Sequence, residues 1–301
     1  MKSSAIQWDD VNYSVPSGFW MRSQKIIEHF SLSVEKGEVI GLIGANGAGK
    51  TTAIKLGTGL LKPDSGAVQI NGKPAAEREA RSAIGLLTEN QYVYPYLKLK
   101  EWLRLLGSLS GMSNPTLDDK IEIILEKVGL IEKKEVFMRT LSKGQTQRAG
   151  IAQAILHSPE ILFLDEPMSG LDPMWRGRIQ DLLIDYKKEG GTILFSSHIL
   201  ADVVQISDRI AVIRSGQMAW SGRLDELPEN RGNYQAVFFS DRISDLLELI
   251  KPDSLVQQPD KSWVITIDVS QKNNLIDLAG SGKISLESLT PVYANVEEIL
   301  S

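Results

Sequence analysis

The chain of 301 residues has no cysteine, which excludes disulfides, thiolate catalysis and cysteine metal sites. A cysteine-free chain fits a reducing compartment. Histidine is scarce as well, with His29, His157 and His198 the complete set. Basic residues give no excess: 33 Lys and Arg stand against 38 Asp and Glu, a formal net charge of −5. No general attraction to nucleic acid or anionic lipid follows from such a balance, and no nucleic-acid partner is expected. No apolar run approaches the roughly 18 residues that a membrane-spanning helix needs. The start, Met1 to Asp10, lacks the apolar stretch of a secretory signal. Internal repeats, low-complexity tracts and long charge blocks are also missing. Any membrane role must therefore come through a partner.

What the chain does have is Gly44-Ala45-Asn46-Gly47-Ala48-Gly49-Lys50-Thr51-Thr52, which fits G-x-x-x-x-G-K-[ST] at every specified position. Glycines at 44, 47 and 49 let the backbone turn several N–H groups toward one concave point, a seat for an anion. Lys50 supplies a full positive charge to the β- and γ-phosphates of a nucleotide. Thr51 offers a hydroxyl ligand for Mg²⁺, and the helix opening there points its positive end at the same phosphates. Glu38 to Ile43 reads as a buried strand before the loop, and Thr52 to Gly57 as a helix after it.

The first 70 residues are strand-rich: Val11 to Val15, Ile26 to Val34, Glu38 to Ile43, and Ala67 to Ile70 ending at the tight-turn pair Asn71-Gly72. A small antiparallel layer is expected to flank the phosphate loop. From Leu97 to Leu130 the pattern turns helical, with Trp102, Leu103, Leu105, Leu106 and Leu109 on one side and Ile121, Ile124, Leu125 and Val128 on another. Ile161 to Leu164 and Thr192 to Phe195 are apolar on both faces, as central strands of a covered parallel sheet are. Asp165-Glu166 ends the first and Ser196-Ser197-His198 the second, so both groups fall at the carboxyl edge of the sheet, where open α/β folds bind ligands. Past a hairpin-like Arg209 to Trp220, Leu227 to Asn233 reads as a linker, and residues 234–301 as a small α+β domain.

Asp165 after an apolar strand suits Mg²⁺, and Glu166 suits the orientation or deprotonation of an attacking water; a strand-ending acidic pair that caps the next helix is the plainer alternative. Leu141-Ser142-Lys143-Gly144-Gln145 opens a helix. Ser142 is a good N-cap, Gly144 permits close approach, and the outward amino end forms a second anion site. Because Lys50 already serves the γ-phosphate, a second phosphate-seeking element implies a nucleotide shared between two molecules.

With these motifs in this order, followed by Ser169-Gly170-Leu171-Asp172 and His198, residues 5 to 227 resemble the ATP-binding cassette family of ATPases. The resemblance implies a P-loop α/β core with a mostly parallel sheet, a flanking antiparallel β layer and a helical subdomain at about 97–157. The core would span residues 1–227, with a linker at 228–233 before the α+β domain. It implies ATP and Mg²⁺ as ligands, with Gly44, Asn46, Gly47, Ala48, Gly49, Lys50, Thr51 and Thr52 around the phosphates. Ser142, Lys143, Gly144 and Gln145 would meet the nucleotide of a partner cassette. Tyr13 matches the aromatic that stacks on adenine, with Trp8, Phe19 and Trp20 as neighbours able to substitute. His198 matches a histidine that contacts the γ-phosphate, and Asp172 a loop that communicates across the dimer. His29 and His157 match nothing catalytic.

Two positions depart from the family pattern: Lys143 stands where glycine is usual, and Glu89 stands where a glutamine commonly touches Mg²⁺, with Gln91 the competing assignment. Tyr92 to Leu97 concentrates aromatic surface, either a docking patch or part of the helical subdomain's interior. The resemblance implies an ATPase subunit at the inner face of the plasma membrane, powering separate transmembrane permease subunits through cassette dimerisation. A single cassette with a short tail is similar to the exporter branch. A soluble ATPase of an assembly or remodelling complex is the alternative.

Overall fold

A computed structural model describes residues 4–17, 22–91, 93–113, 116–223, 226, 229–240, 243–258 and 261–293. The chain divides into two compact units, Met1–Leu224 and Asp225–Ile299.

The first unit opens with two long strands, β1 (Ser4–Ser17) and β2 (Arg22–Glu35), which pair antiparallel. They extend well past the runs read from the sequence, because β-bulges absorb Asp9 and Asp10, which interrupt the alternation. With β4 (Ser65–Ile70) and β5 (Lys73–Pro74) they form a four-stranded layer, closed at the β4–β5 hairpin by Asn71-Gly72. Both turn residues take positive φ, 49° and 76°, as the mirror-image turn of a tight hairpin demands.

Beside this layer lies a six-stranded sheet built on β3 (Val39–Ile43), β6 (Ile84–Leu87), β7 (Ile161–Leu164), β8 (Thr192–Ser197), β9 (Arg209–Arg214) and β10 (Gln217–Arg223). Its order is β10-β9-β3-β8-β7-β6, parallel throughout except for the β9–β10 hairpin. Strands β3, β7 and β8 are buried along their whole length, the physical counterpart of their unbroken apolar runs.

Helix α1 (Lys50–Gly57) follows β3 directly. Trp8 of β1 ties the layers together: its ring meets Phe30 and Phe163 edge-on at 6.0 and 6.2 Å, and its Nε1–H donates to the Ala53 carbonyl of α1 at 3.2 Å. Helix α2 (Arg78–Ser82) is a short connection to β6. The helical segment contains α3 (Leu99–Leu109), α4 (Thr116–Lys127) and α5 (Lys143–Ile155). On α3 the buried stripe is Leu99, Trp102, Leu103 and Gly107, whereas Leu105 and Leu109 are 38% and 75% exposed. Leu103 and Leu105 lie about 200° apart around the helix, so the single apolar face expected from the sequence splits in two. Helices α6 (Pro173–Lys188) and α7 (Leu200–Val204) complete the first unit.

The second unit runs β11 (Glu229–Phe239), α8 (Ile243–Leu249), β12 (Ser254–Gln257), β13 (Trp263–Asp268), α9 (Lys272–Gly280) and β14 (Ser285–Tyr293). Its antiparallel sheet has the order β12-β13-β11-β14, the βαββαβ ferredoxin-like arrangement. Phe238, Ile265, Ile267 and Leu275 centre a core of its own. From Glu229 on, the expected linker is strand: its polar Glu229 to Asn233 is the start of β11, and the pairing of Asn233 with Asp268 and of Glu229 with Tyr293 supplies the ladder that local composition does not reveal. Leu227 and Pro228 lie outside the described residues, as does the segment after Tyr293.

Candidate ATP-hydrolysis site

The phosphate loop leaves the carboxyl end of β3, and Asp165-Glu166 and His198 leave the ends of β7 and β8 in the same sheet. Parallel pairing of β3 with β8, and of β8 with β7, brings three segments distant in sequence to one edge. They enclose a cleft of about 460 Å³ lined by Asn46, Gly47, Gly49, Lys50, Thr51, Thr52, Glu89, Glu166, Ser169 and His198, together with Ile26 and Ala45. A larger groove, about 1310 Å³, opens at the amino ends of the strands near Ile161 and Thr192. Its charges alternate in sign, as at Asp119 beside Lys120, so the phosphate-seeking chemistry belongs to the smaller cleft.

Gly49 caps α1 at φ 111°, and a side chain there would meet Ile27 Cδ1 at 2.9 Å and the Ile26 carbonyl at 3.2 Å. Only glycine allows that turn, which presents the first N–H groups of α1 to the cleft. Gly44 and Ala48 complete the loop: Lys50 Nζ donates to the Gly44 carbonyl at 2.7 Å, and the Ala48 carbonyl accepts from the Gly216 N–H at 2.8 Å. Lys50 is buried, with Nζ also 3.5 Å from Glu166 Oε1. Glu166 Oε2 lies 2.9 Å from His198 Nδ1, so one carboxylate joins the loop lysine to His198.

Glu166 itself adopts a left-handed φ of 50°, a conformation that costs an ordinary L-residue about 1–2 kcal/mol. Its N–H donates to Ser196 Oγ at 2.9 Å, and its carbonyl accepts from Gln147 Nε2 at 3.0 Å. Ser196 Oγ also donates to Asp165 Oδ1 at 2.6 Å, and Asp165 is fully buried. Nearby Asp202 is buried on α7, and burial pushes its carboxyl above the usual range while Arg176, 3.7 Å away, pulls it back.

Ser142 caps α5 in a reciprocal box: Ser142 Oγ accepts the Gln145 N–H at 3.3 Å, and Gln145 Oε1 accepts the Ser142 N–H at 3.0 Å. Ser142 and Lys143 are exposed, so the amino end of α5 faces outward. Gly144 packs against the next loop, where a Cβ would meet the Gly170 carbonyl at 2.9 Å. Asp172 caps α6 by accepting the Trp175 N–H at 2.9 Å, with Pro173 in the first turn. One turn along α5, buried Arg148 stacks 3.7 Å above the Trp175 ring and donates to the Val128 carbonyl at 2.7 Å.

Not every candidate reaches the cleft. Tyr13 is half-buried against the core and pairs across the ladder with Ile27, while Ile26, the residue of β2 that points the other way, lines the cleft. Trp8 is interior, and Phe19 and Trp20 lie outside the described residues. Glu89 lines the cleft beside Lys50 and Thr51. Gln91 instead lies over Gly150 of α5, where a Cβ would come within 2.5 Å of its amide, and it donates to the Thr88 carbonyl at 2.7 Å. The roles of Ser196 and Gln147 escaped the sequence reading. Ser196 stood among the polar residues ending β8, and Gln147 bore no signal apart from its place one turn past the capped serine.

Thr51, Asp165 and Glu89 supply hard oxygen donors, which suit Mg²⁺ held by a few protein groups and substrate phosphates better than by an all-protein cage. Among the described residues no group of three or more His, Cys, Asp and Glu side chains is placed to hold a metal ion by itself.

A glycine-rich loop between a central strand and a helix, with an Asp–Glu pair at the end of the next strand but one in the same sheet, defines a P-loop nucleoside-triphosphatase. Residues 27–169 match the ABC transporter family. An uncharacterised ABC transporter ATP-binding protein of Nostoc sp., all4389, is 39% identical over 270 residues, 88% of this chain and 79% of its own length. The bacitracin transport ATP-binding protein BcrA of Bacillus licheniformis is 35% identical over 223 residues, 73% of this chain and 72% of its own. A solved ATP-binding subunit of an ABC transporter superposes with a TM-score of 0.67 at 31% identity, covering 74% of this chain and 92% of that one. The chain belongs to the ABC transporter family as an ATP-binding subunit, and it is an ATPase.

Proposed function

We propose that this ATPase clamps ATP between the phosphate loop of one copy and the Ser142–Gln145 turn of a second, and that Glu166 activates the water that attacks the γ-phosphate. The observation that carries this reading is the convergence of Lys50, Glu166 and His198 on one cleft, with Glu166 Oε1 3.5 Å from the lysine and Oε2 2.9 Å from the histidine. Lys50 and the N–H groups of α1 bind the phosphates. Thr51 and Asp165, with Glu89 at the cleft wall, would hold Mg²⁺, which when bound neutralises charge on the β- and γ-oxygens. Glu166 takes the proton of the attacking water, the bond to the leaving ADP oxygen breaks, and His198 holds the γ-phosphate. The β1–β2 edge, with Ile26 at the cleft and Tyr13 across the ladder, is the adenine side.

Closure of two cassettes on ATP and their release on hydrolysis would drive transmembrane permease subunits, because ATP adds its second set of contacts only in the closed state. Tyr94, Tyr96 and Phe137 support a docking face: all three are exposed, Tyr96 by 74%, and Arg139 lies 5.3 Å above the Tyr96 ring. Among the described residues no helix is long and apolar enough to cross a membrane, so the chain would sit at the cytoplasmic face of the membrane through its permease. BcrA, named for bacitracin transport, supports the exporter reading.

Replacing Glu166 by Gln tests the centre of this proposal. Turnover is expected to fall by about 10²-fold or more while ATP binding persists and an ATP-dependent dimer accumulates in size-exclusion chromatography. Hydrolysis at the parent rate would remove Glu166 from the mechanism.

A further inference from the structure

We propose that Ser196 and Gln147 are positioning residues for hydrolysis, holding the Glu166 backbone at its N–H and its C=O so that the carboxylate is aimed into the cleft. This rests on Glu166 being the group that activates water.

The local sequence explains why a clamp is needed. Pro167 follows Glu166 and disfavours the right-handed helical region for the residue before it. Glu166 leaves β7 with φ 50°, where an unbranched acidic residue gains no local hydrogen bond of the kind that Asn or Asp obtains. The conformation must be imposed from outside.

Ser196 imposes one half. It is completely buried at the end of β8, and its hydroxyl has one proton to give. A carboxylate accepts only, so that proton goes to Asp165 Oδ1 at 2.6 Å, and a lone pair remains for the Glu166 N–H at 2.9 Å. A single hydroxyl thereby sets the spacing of the two neighbouring acids, one toward the metal position and one toward water.

Gln147 imposes the other half from a different element. It is 5% exposed on α5, and both protons of its amide nitrogen are committed, to the Glu166 carbonyl at 3.0 Å and the Pro167 carbonyl at 3.1 Å. Ser142 caps the same helix one turn earlier, and Gly144 lies against the Gly170 carbonyl. The end of α5 offered to the partner's nucleotide is thus wired by a rigid turn to the peptide of this copy's own Glu166. Positioning on this scale matters, since misplacing a reacting group by about 1 Å costs about 10²-fold in rate.

The test uses the full chain. Ser196→Ala, Ser196→Thr and Gln147→Glu are each made in the parent and in the Glu166→Gln background, with kcat, KM, equilibrium ATP binding and melting temperature measured for each. Ser196→Ala and Gln147→Glu are expected to lower kcat by about 10- to 100-fold with KM and ATP affinity within about threefold, and Ser196→Thr to restore the rate. In the Glu166→Gln background the same changes are expected to alter residual hydrolysis by less than about twofold, because residues acting through one group are not additive. Parent turnover in Ser196→Ala and Gln147→Glu, with Glu166→Gln inactive, overturns the clamp and leaves the role of Glu166 standing. Additive losses in the Glu166→Gln background, or loss of ATP binding that Ser196→Thr does not restore, also overturn it in favour of a structural role. Parent turnover in Glu166→Gln itself overturns the reading on which the clamp rests. Should Ser196→Ala fail to fold, Gln147→Glu carries the same comparisons.

Discussion

Lys50 Nζ donates to the Gly44 carbonyl of its own loop at 2.7 Å and lies 3.5 Å from the Glu166 carboxylate, so its ammonium is held between the loop and the end of β7. Nucleotide phosphates offer such an ammonium charge-assisted hydrogen bonds. Lys50→Ala is expected to weaken ATP binding by more than about tenfold, over 1.4 kcal/mol, in equilibrium dialysis. His157 shows the opposite kind of histidine from His198. It is part-buried, its Nε2–H donates to the Ile84 carbonyl at 2.9 Å, and burial holds its pKa below the ordinary histidine value of 6.5. The unfolded chain therefore binds the extra proton first, and stability present above pH 6.5 is lost as pH falls through the lowered value. Denaturant titrations across that range should show this decline, and His157→Gln should flatten it.

At the scale of elements, α5 joins the Ser142 turn to the end of β7. Its amino end is exposed and capped by Ser142, whereas Gln147 and Arg148 anchor the next turn to the β7 loop and to Trp175 of α6. Ser142→Arg places a bulky cation on the outward face while leaving the Lys50 loop untouched. ATP binding is expected at parent affinity with ATP-driven dimerisation abolished; a normal ATP-dependent dimer in light scattering would contradict the shared site. Motif-bearing segments were legible because their chemistry is local: a phosphate loop needs its glycines and lysine in consecutive order. Register is less legible: bulges along the β1–β2 ladder set which residues pair, placing Tyr13 opposite Ile27 and leaving Ile26 to line the cleft.

At the scale of the whole molecule, the described residues include one hydrophobic core around Trp8, Phe30 and Phe163 and another around Phe238, Ile265 and Leu275. Units with separate cores unfold separately when little binds them together. Phe238→Ala is expected to destabilise the second unit by about 3–5 kcal/mol in the full chain. Calorimetry should then show one transition lowered, with the other and the ATPase rate of the first unit retained; a single transition lowered as a whole would show that the units melt as one.

Sequence alone determined the chemistry: the anion-seeking loop, the acidic pair, the turn capped by Ser142 and the buried parallel strands, all of which depend on neighbours along the chain. Tertiary structure alone decided which of these groups meet. The pairing order β3-β8-β7 brings Lys50, Glu166 and His198 together, and contacts spanning 19 and 30 residues place Gln147 and Ser196 on the two peptide groups that flank Glu166. Such placement arises from long-range strand order and register, which no local pattern of residues encodes.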